Sequence, residues 1–279
     1  MNRNRNRNRN RNKDKDTNKD TNTNLNTNVK PMTLDQEIQS FLSSSGKDFY
    51  KKLLELEPYL NAANQMVIIR MGYNDHGFVH SKIVTRNALQ ILEIVKDVLP
   101  LNIITEKLGD FSDVQLVIMG GAFLHDVGNM VHRDDHILHS CYLASQLLMP
   151  LLPEFTAHPT QMLSEILHCI YSHHEESQCL TTEAGIVTIA DGCDMAEGRA
   201  RIPYNLGKID IHSVSALSIK KVTISRGEKK PLRIEVHMDS QAGIFQIQEV
   251  LGKKVETSGL QNHIEVVGIY RNEALPITL

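Results

Sequence analysis

Long hydrophobic runs are missing from this sequence. The longest, Val117 to Leu124, is far short of the roughly 18–20 apolar residues that a membrane-spanning helix needs, which excludes helical membrane insertion and leaves the dimensions of a core helix. Cysteine pairs are missing too. Cys141, Cys169, Cys179 and Cys193 form no CxxC motif and no secretory leader precedes them, so free thiols in a reducing cytoplasm are expected and a disulfide framework is not. A basic body is also lacking. Net charge is −3, and residues 1–30 hold nine Lys/Arg against three Asp, which leaves −9 to the remainder. A nucleic-acid-binding role is therefore not expected, and any phosphate must be held by a metal or a few placed cations.

With 279 residues, 41 % hydrophobic and 23 % charged, the chain has the make-up of a globular protein with one large or two smaller domains. Residues 1–30 alternate Asn with Arg and then run through Lys, Asp and Thr. Such a tail cannot bury an apolar face and is expected to be disordered and solvated. Order should begin at Thr33, where "TLDQ" reads as a capping box with Gln36. Helical patterns follow over 33–44, 47–56, 58–71, 79–99, 112–127, 134–149, 158–173 and 181–196, separated by glycine and proline breakers. After Pro203 the texture changes. "LSIKKVTISRG" and "PLRIEVHMD" read as strands, "QAGIFQIQEVLGKKV" as a helix and "HIEVVGIY" as a further strand. The expected fold is mainly α: a bundle of about eight helices over 31–207, then a small α+β (ββαβ) domain over 208–279. An open sheet of that kind exposes edges, so a homo-oligomer formed through the C-terminal domain is expected.

Thirteen histidines matter less for their number than for their order. His80 stands on one predicted helix, His125 and Asp126 end another inside "FLHDVGN", and Asp191 lies on a later one in "IADGCDMAEGRAR". One ligand group per helix is how metal sites are built inside helical bundles. Imidazole nitrogen with carboxylate oxygen suits a transition-type divalent ion, which lowers the pKa of bound water and polarises a phosphoryl oxygen. The small residues of "GGAF" would let the helices approach closely.

Over residues 60–205 these segments resemble the HD superfamily of metal-dependent phosphohydrolases. "HDVG" is similar to the HDIG form of its central motif, and "DHGFVHSKIVTRNALQIL" and "IADGCDMAEGRAR" resemble its first and last ligand segments. The resemblance implies that His80, His125, Asp126 and Asp191 hold Mn, Co, Ni, Fe, Zn or Mg, one or two ions per site. "HSCYLASQLL" and "SHHEE" resemble the extra-histidine segments of binuclear members, which makes His139, His173 and His174 candidates for a second metal or for substrate. His132 and His136, four apart, read as a solvated polar turn.

Around this set, Asp194 and Asn87 are expected to support ligands, and Glu175 or Glu176 to carry a proton. Lys82, Arg86, Arg199 and Arg201 are candidates for a substrate phosphate. "HHEESQCLTT" departs from the glycine-tyrosine-proline loop of cyclic-dinucleotide phosphodiesterases, and "HDVGNM" lacks the acidic pair of guanosine tetraphosphate hydrolases. The expectation is a hydrolase for a small phosphorylated substrate. A di-iron oxygenase and a non-catalytic ligand-binding or regulatory module are the alternatives.

Overall fold

Helix-forming periodicity and its breakers decide the first two-thirds of the chain. The computed structural model describes residues 31–196 and 211–277. Thr33 and Gln36 close the capping box that starts α1 (Leu34–Ser40), and Ser43 caps α2 (Ser44–Leu54). Pro58 sits in the first turn of α3 (Glu57–Asn64), which runs on as a wider π turn over Gln65–Arg70. There follow α4 (Phe78–Val95), α5 (Asn102–Thr105), α6 (Phe111–Leu124), a 3-10 turn at Val127–Met130, α7 (His136–Leu148), α8 (Pro159–Ser172) and α9 (Thr182–Gly192). The protein is mainly helical, as expected.

The middle of the bundle is α6. Every residue from Asp113 to Leu124 in it is buried, the mark of a helix enclosed on all sides, and α2, α4, α8 and α9 pack around it. At Gly121 a Cβ would come within 2.6 Å of the Cys169 Cβ on α8, so glycine here sets the separation of the two helices. Cys169, Cys179 and Cys193 are buried free thiols, and burial raises the pKa of each.

After α10 (Ile211–Leu217) come β1 (Ile219–Arg226) and β2 (Leu232–Met238), then a helical crossover made of α11 (Gly243–Gln246), a π turn (Ile247–Gly252) and α12 (Lys253–Thr257), and finally β3 (Ile264–Tyr270) and β4 (Glu273–Pro276). The sheet order is β1-β2-β3-β4, with β2 and β3 parallel and the outer pairs antiparallel. Alternate residues of β2 are buried, the period-2 pattern of a one-faced sheet. The fourth strand is an addition to the ββαβ reading. It returns through Arg271 and Asn272, both at positive φ (52° and 65°), a two-residue turn made without the glycine that usually announces one. The expected domain boundary near 208 falls among residues outside the described set. Helix and sheet meet where Gln90 of α4 donates to the Ile224 carbonyl of β1 at 2.8 Å.

Lys82, expected to reach phosphate, instead pairs with Asp35 of α1 at 2.7 Å, and Arg86 faces Glu37 at 3.9 Å. Tyr50 also donates to Asp35, at 2.7 Å. Burial pushes the Asp35 carboxyl up, but the hydrogen bonds from Lys82 and Tyr50 outweigh it and hold its pKa below the ordinary value. A depressed acid stabilises the fold above its unfolded pKa of about 3.9 and loses that contribution as pH falls through the folded value. Asp35→Asn is therefore expected to cost about 1 kcal/mol at neutral pH, and denaturant titrations should show the gap from wild type closing in acid. A gap undiminished at about pH 2 would contradict this linkage.

Candidate metal centre

Helix ends bring the polar residues together. His80 lies in the first turn of α4, His125 follows the last residue of α6, His136 opens α7, His173 follows the last residue of α8, and Asp191 is in the last turn of α9. The Nε2 atoms of His80 and His125 stand 3.0 Å apart. Asp191 Oδ1 lies 3.2 Å from the first and 3.7 Å from the second, and Asp126 Oδ2 lies 3.5 and 3.3 Å from them. The other oxygen of Asp126 faces His136 Nε2 at 3.5 Å and His173 Nε2 at 3.8 Å. Asp126 thus stands between two groups of imidazoles.

Each of these histidines spends its Nδ1 on an acceptor. His80 Nδ1 meets Asp194 Oδ2 at 2.7 Å, His125 Nδ1 meets the Ala122 carbonyl at 2.9 Å, His136 Nδ1 meets the Arg133 carbonyl at 3.0 Å, and His173 Nδ1 meets the Ile170 carbonyl. A carbonyl accepts and never donates, so the proton must be on Nδ1 wherever the partner is a carbonyl. In the neutral imidazole that leaves the Nε2 lone pair directed inward, the arrangement of metal-ligating histidines whose outer nitrogen is anchored. Among the described residues, His136 Nε2 is buried with no hydrogen-bond partner. Two sets, His80 with His125 and Asp191, and His125 with Asp126 and His173, bring ligand atoms within 4.8 Å of one another. The donor chemistry fits a first-row divalent ion.

Electrostatics favour the ligand forms. Burial raises the Asp126 and Asp191 carboxyls, yet His125 beside the first and Lys254 beside the second hold both well below the ordinary range. Burial pulls the His173 imidazole far down and brings His136 to about 4, so both are neutral. His125 goes the other way. Burial lowers it, but Asp126 and Asp191 win and keep its pKa above the histidine norm.

Asp194 orients His80, and Asn87 donates to the Ala190 carbonyl at 3.2 Å, tying α4 to α9. His174 and Glu175 line the cavity above the cluster. His136 and His139 both fall outside these two sets. His136 Nε2 stands 3.5 Å from Asp126 Oδ1, while His139 lies three residues, about one helical turn, farther from the helix start that faces the cluster. The solvated-turn reading holds for His132, which is exposed, and not for His136, which is buried. Arg199 and Arg201 lie outside the described residues. Residues without a motif also line the cavity, among them Asn74, His76, Arg133, Gln246 and Lys254. His76 carries a faint signal in "DHGFVH": it precedes His80 by four residues, and the two rings stand 5.8 Å apart.

The helical body therefore defines a carboxylate–imidazole site able to hold a divalent metal at the meeting point of helix ends. The family model of the HD domain matches residues 77–196, and an uncharacterized protein of Methanocaldococcus jannaschii is 44 % identical over 239 residues, which span 84 % of this chain and 92 % of the relative. The chain belongs to the HD domain family, whose members are typically metal-dependent hydrolases. No solved structure matches it. Among the described residues, no helix is long and apolar enough to cross a membrane.

Two outcomes are expected here. Metal competes with the proton for His125, whose pKa Asp126 and Asp191 raise, so affinity should be full above that raised pKa and fall as pH drops through it. Calorimetry in buffers of different ionisation enthalpy should show metal binding releasing more protons as pH is lowered through that value; a release that does not change with pH would contradict the assignment. The glycine of "HDVG" is a matter of contact, since a Cβ on Gly128 would strike the His136 carbonyl and the Ser140 amide of α7. Gly128→Ala should cost about 3 kcal/mol in thermal unfolding and weaken metal binding by moving His136. A variant with wild-type stability would show that α7 is not held this closely.

Proposed function

We propose that this protein is a metal-dependent phosphohydrolase acting on a small phosphorylated molecule. One observation carries the reading: His136, His173 and the carboxylates of Asp126 and Asp191 line a cavity of about 240 Å³ together with the cations Arg133 and Lys254, and Asp126 Oδ2 faces the Nε2 atoms of His80 and His125. That volume admits a phosphoryl group with a small remainder and lies below the range of about 300–1,000 Å³ typical of larger organic ligands. His80, His125, Asp126 and Asp191 would hold the first divalent ion, and His136 and His173 with Asp126 a second. Such an ion supplies positive charge for a phosphoryl oxygen and lowers the pKa of water.

The remaining groups belong to the chain itself. Arg133 touches Asn129 Oδ1 at 3.2 Å and stands 3.5 Å from Asp126 Oδ1, so its guanidinium is held beside the cluster with further donors to offer an anion. Asp194 keeps the His80 ring turned by accepting from its Nδ1. Glu175 and His174 stand at the cavity wall, placed to give a proton to the departing oxygen. Lys82 and Arg86 take no part, since both face α1.

The test is hydrolysis of a panel of phosphate monoesters and nucleotides by protein loaded in turn with Mn, Co, Ni, Fe, Zn and Mg. At least one ester should be turned over, and Asp126→Ala should lower that rate by about a thousandfold, the equivalent of about 4 kcal/mol. Absence of turnover across the panel by metal-loaded, folded protein would count against a phosphohydrolase, and turnover unaffected by Asp126→Ala would place the activity elsewhere.

A further inference from the structure

Lys254 reaches the metal cluster from the C-terminal part of the chain. It stands on α12, and its ammonium donates to Asp191 Oδ2 at 2.7 Å and to the His173 carbonyl at 2.6 Å. The residue is only 9 % exposed, and a lysine is rarely buried to that degree unless it is paired. Here two short hydrogen bonds, one of them to a carboxylate, offset the loss of water. Both acceptors belong to helix C-termini, the end of α8 and the last turn of α9, where the aligned peptide dipoles favour a cation.

The consequence for Asp191 is directional. One of its oxygens faces the Nε2 atoms of His80 and His125, while the other is held by Lys254. The packing makes room for this contact. At Gly192 a Cβ would come to 3.0 Å from Lys254 Cδ and 3.1 Å from Leu251 Cδ1, so α9 carries glycine at the point where the lysine stem and its helix pass. Taking the cluster as a divalent-metal site, we propose that Lys254 is a positioning residue: it turns Asp191 toward the ligand histidines, ties the ends of α8 and α9 together, and thereby makes metal affinity depend on how the C-terminal crossover helix is seated. No local motif marks this residue, because its partners lie 63 and 81 positions away.

The test is a Co²⁺ titration of the full chain, followed by visible absorption, for wild type, Lys254→Met and Lys254→Arg. Loss of an orienting partner of this kind is expected to weaken Co²⁺ binding about 10- to 100-fold in Lys254→Met. Lys254→Arg keeps the charge and the donors and should recover most of the affinity. Circular dichroism at the titration temperature separates this effect from unfolding. Should Lys254→Met be unfolded, neutral Lys254→Gln decides the matter by the same expected weakening. A folded neutral variant that binds Co²⁺ as tightly as wild type, or more tightly, would overturn the proposal. So would an arginine variant, folded, that binds as weakly as the methionine one. Wild-type protein that takes up no Co²⁺ would instead overturn the metal reading on which the proposal stands.

Discussion

Two carboxylates with almost no access to water, Asp126 at 2 % and Asp191 at 7 % exposure, have to be neutralised where they stand, and much of the surrounding architecture answers that requirement. An ionised carboxylate taken out of water costs several kcal/mol unless charge and hydrogen bonds replace what is lost. Asn129 and Arg133 attend one oxygen of Asp126. Lys254 attends one oxygen of Asp191. The remaining oxygens turn toward His80 and His125, whose outer nitrogens are already engaged. Protonation of His125, which Asp126 and Asp191 favour, offsets part of this charge, and a divalent ion would offset more of it from the same position. Stability and metal binding are therefore two uses of one arrangement.

The demand also accounts for where the residues are found. Helix ends, not helix middles, supply the cluster, because only there does the backbone expose a carbonyl beside the side chain. The carbonyls of Ala122 and Ile170, each three residues before a histidine that follows the last turn of its helix, are free to take its Nδ1 proton. The central helix α6 is buried from Asp113 to Leu124, and the polar side chains within that stretch, Asp113 and Gln115, are hydrogen-bonded near its start. Gly121 and Gly128 then let α8 and α7 come close enough for their histidines to reach the same point.

Much of this was legible in the residues. The 3.6-residue period, with Gly and Pro as breakers, located the long helices, and the order of His80, His125-Asp126 and Asp191 named four residues that the fold does bring together. What escaped were features without a local mark. His136 and His139 look equivalent on a helix, and only the start of α7 at His136, after the left-handed Asp135 (φ 56°), decides which of them meets Asp126. Arg133 and Lys254 gain their positions from tertiary packing. Lys82 and Arg86 have the spacing of a phosphate clamp, yet their face of α4 is covered by α1. The fourth strand hid behind a turn with no glycine.

Anomalous diffraction from crystals of metal-loaded protein, collected at the absorption edge of the added ion, tests the central claim most directly. The arrangement requires a peak bounded by Nε2 of His80 and His125 and by carboxylate oxygens of Asp126 and Asp191. A fully loaded crystal with no peak there, or with its only peak away from these atoms, would show that the buried carboxylates are balanced by the protein alone and that the helix ends do not form a metal site.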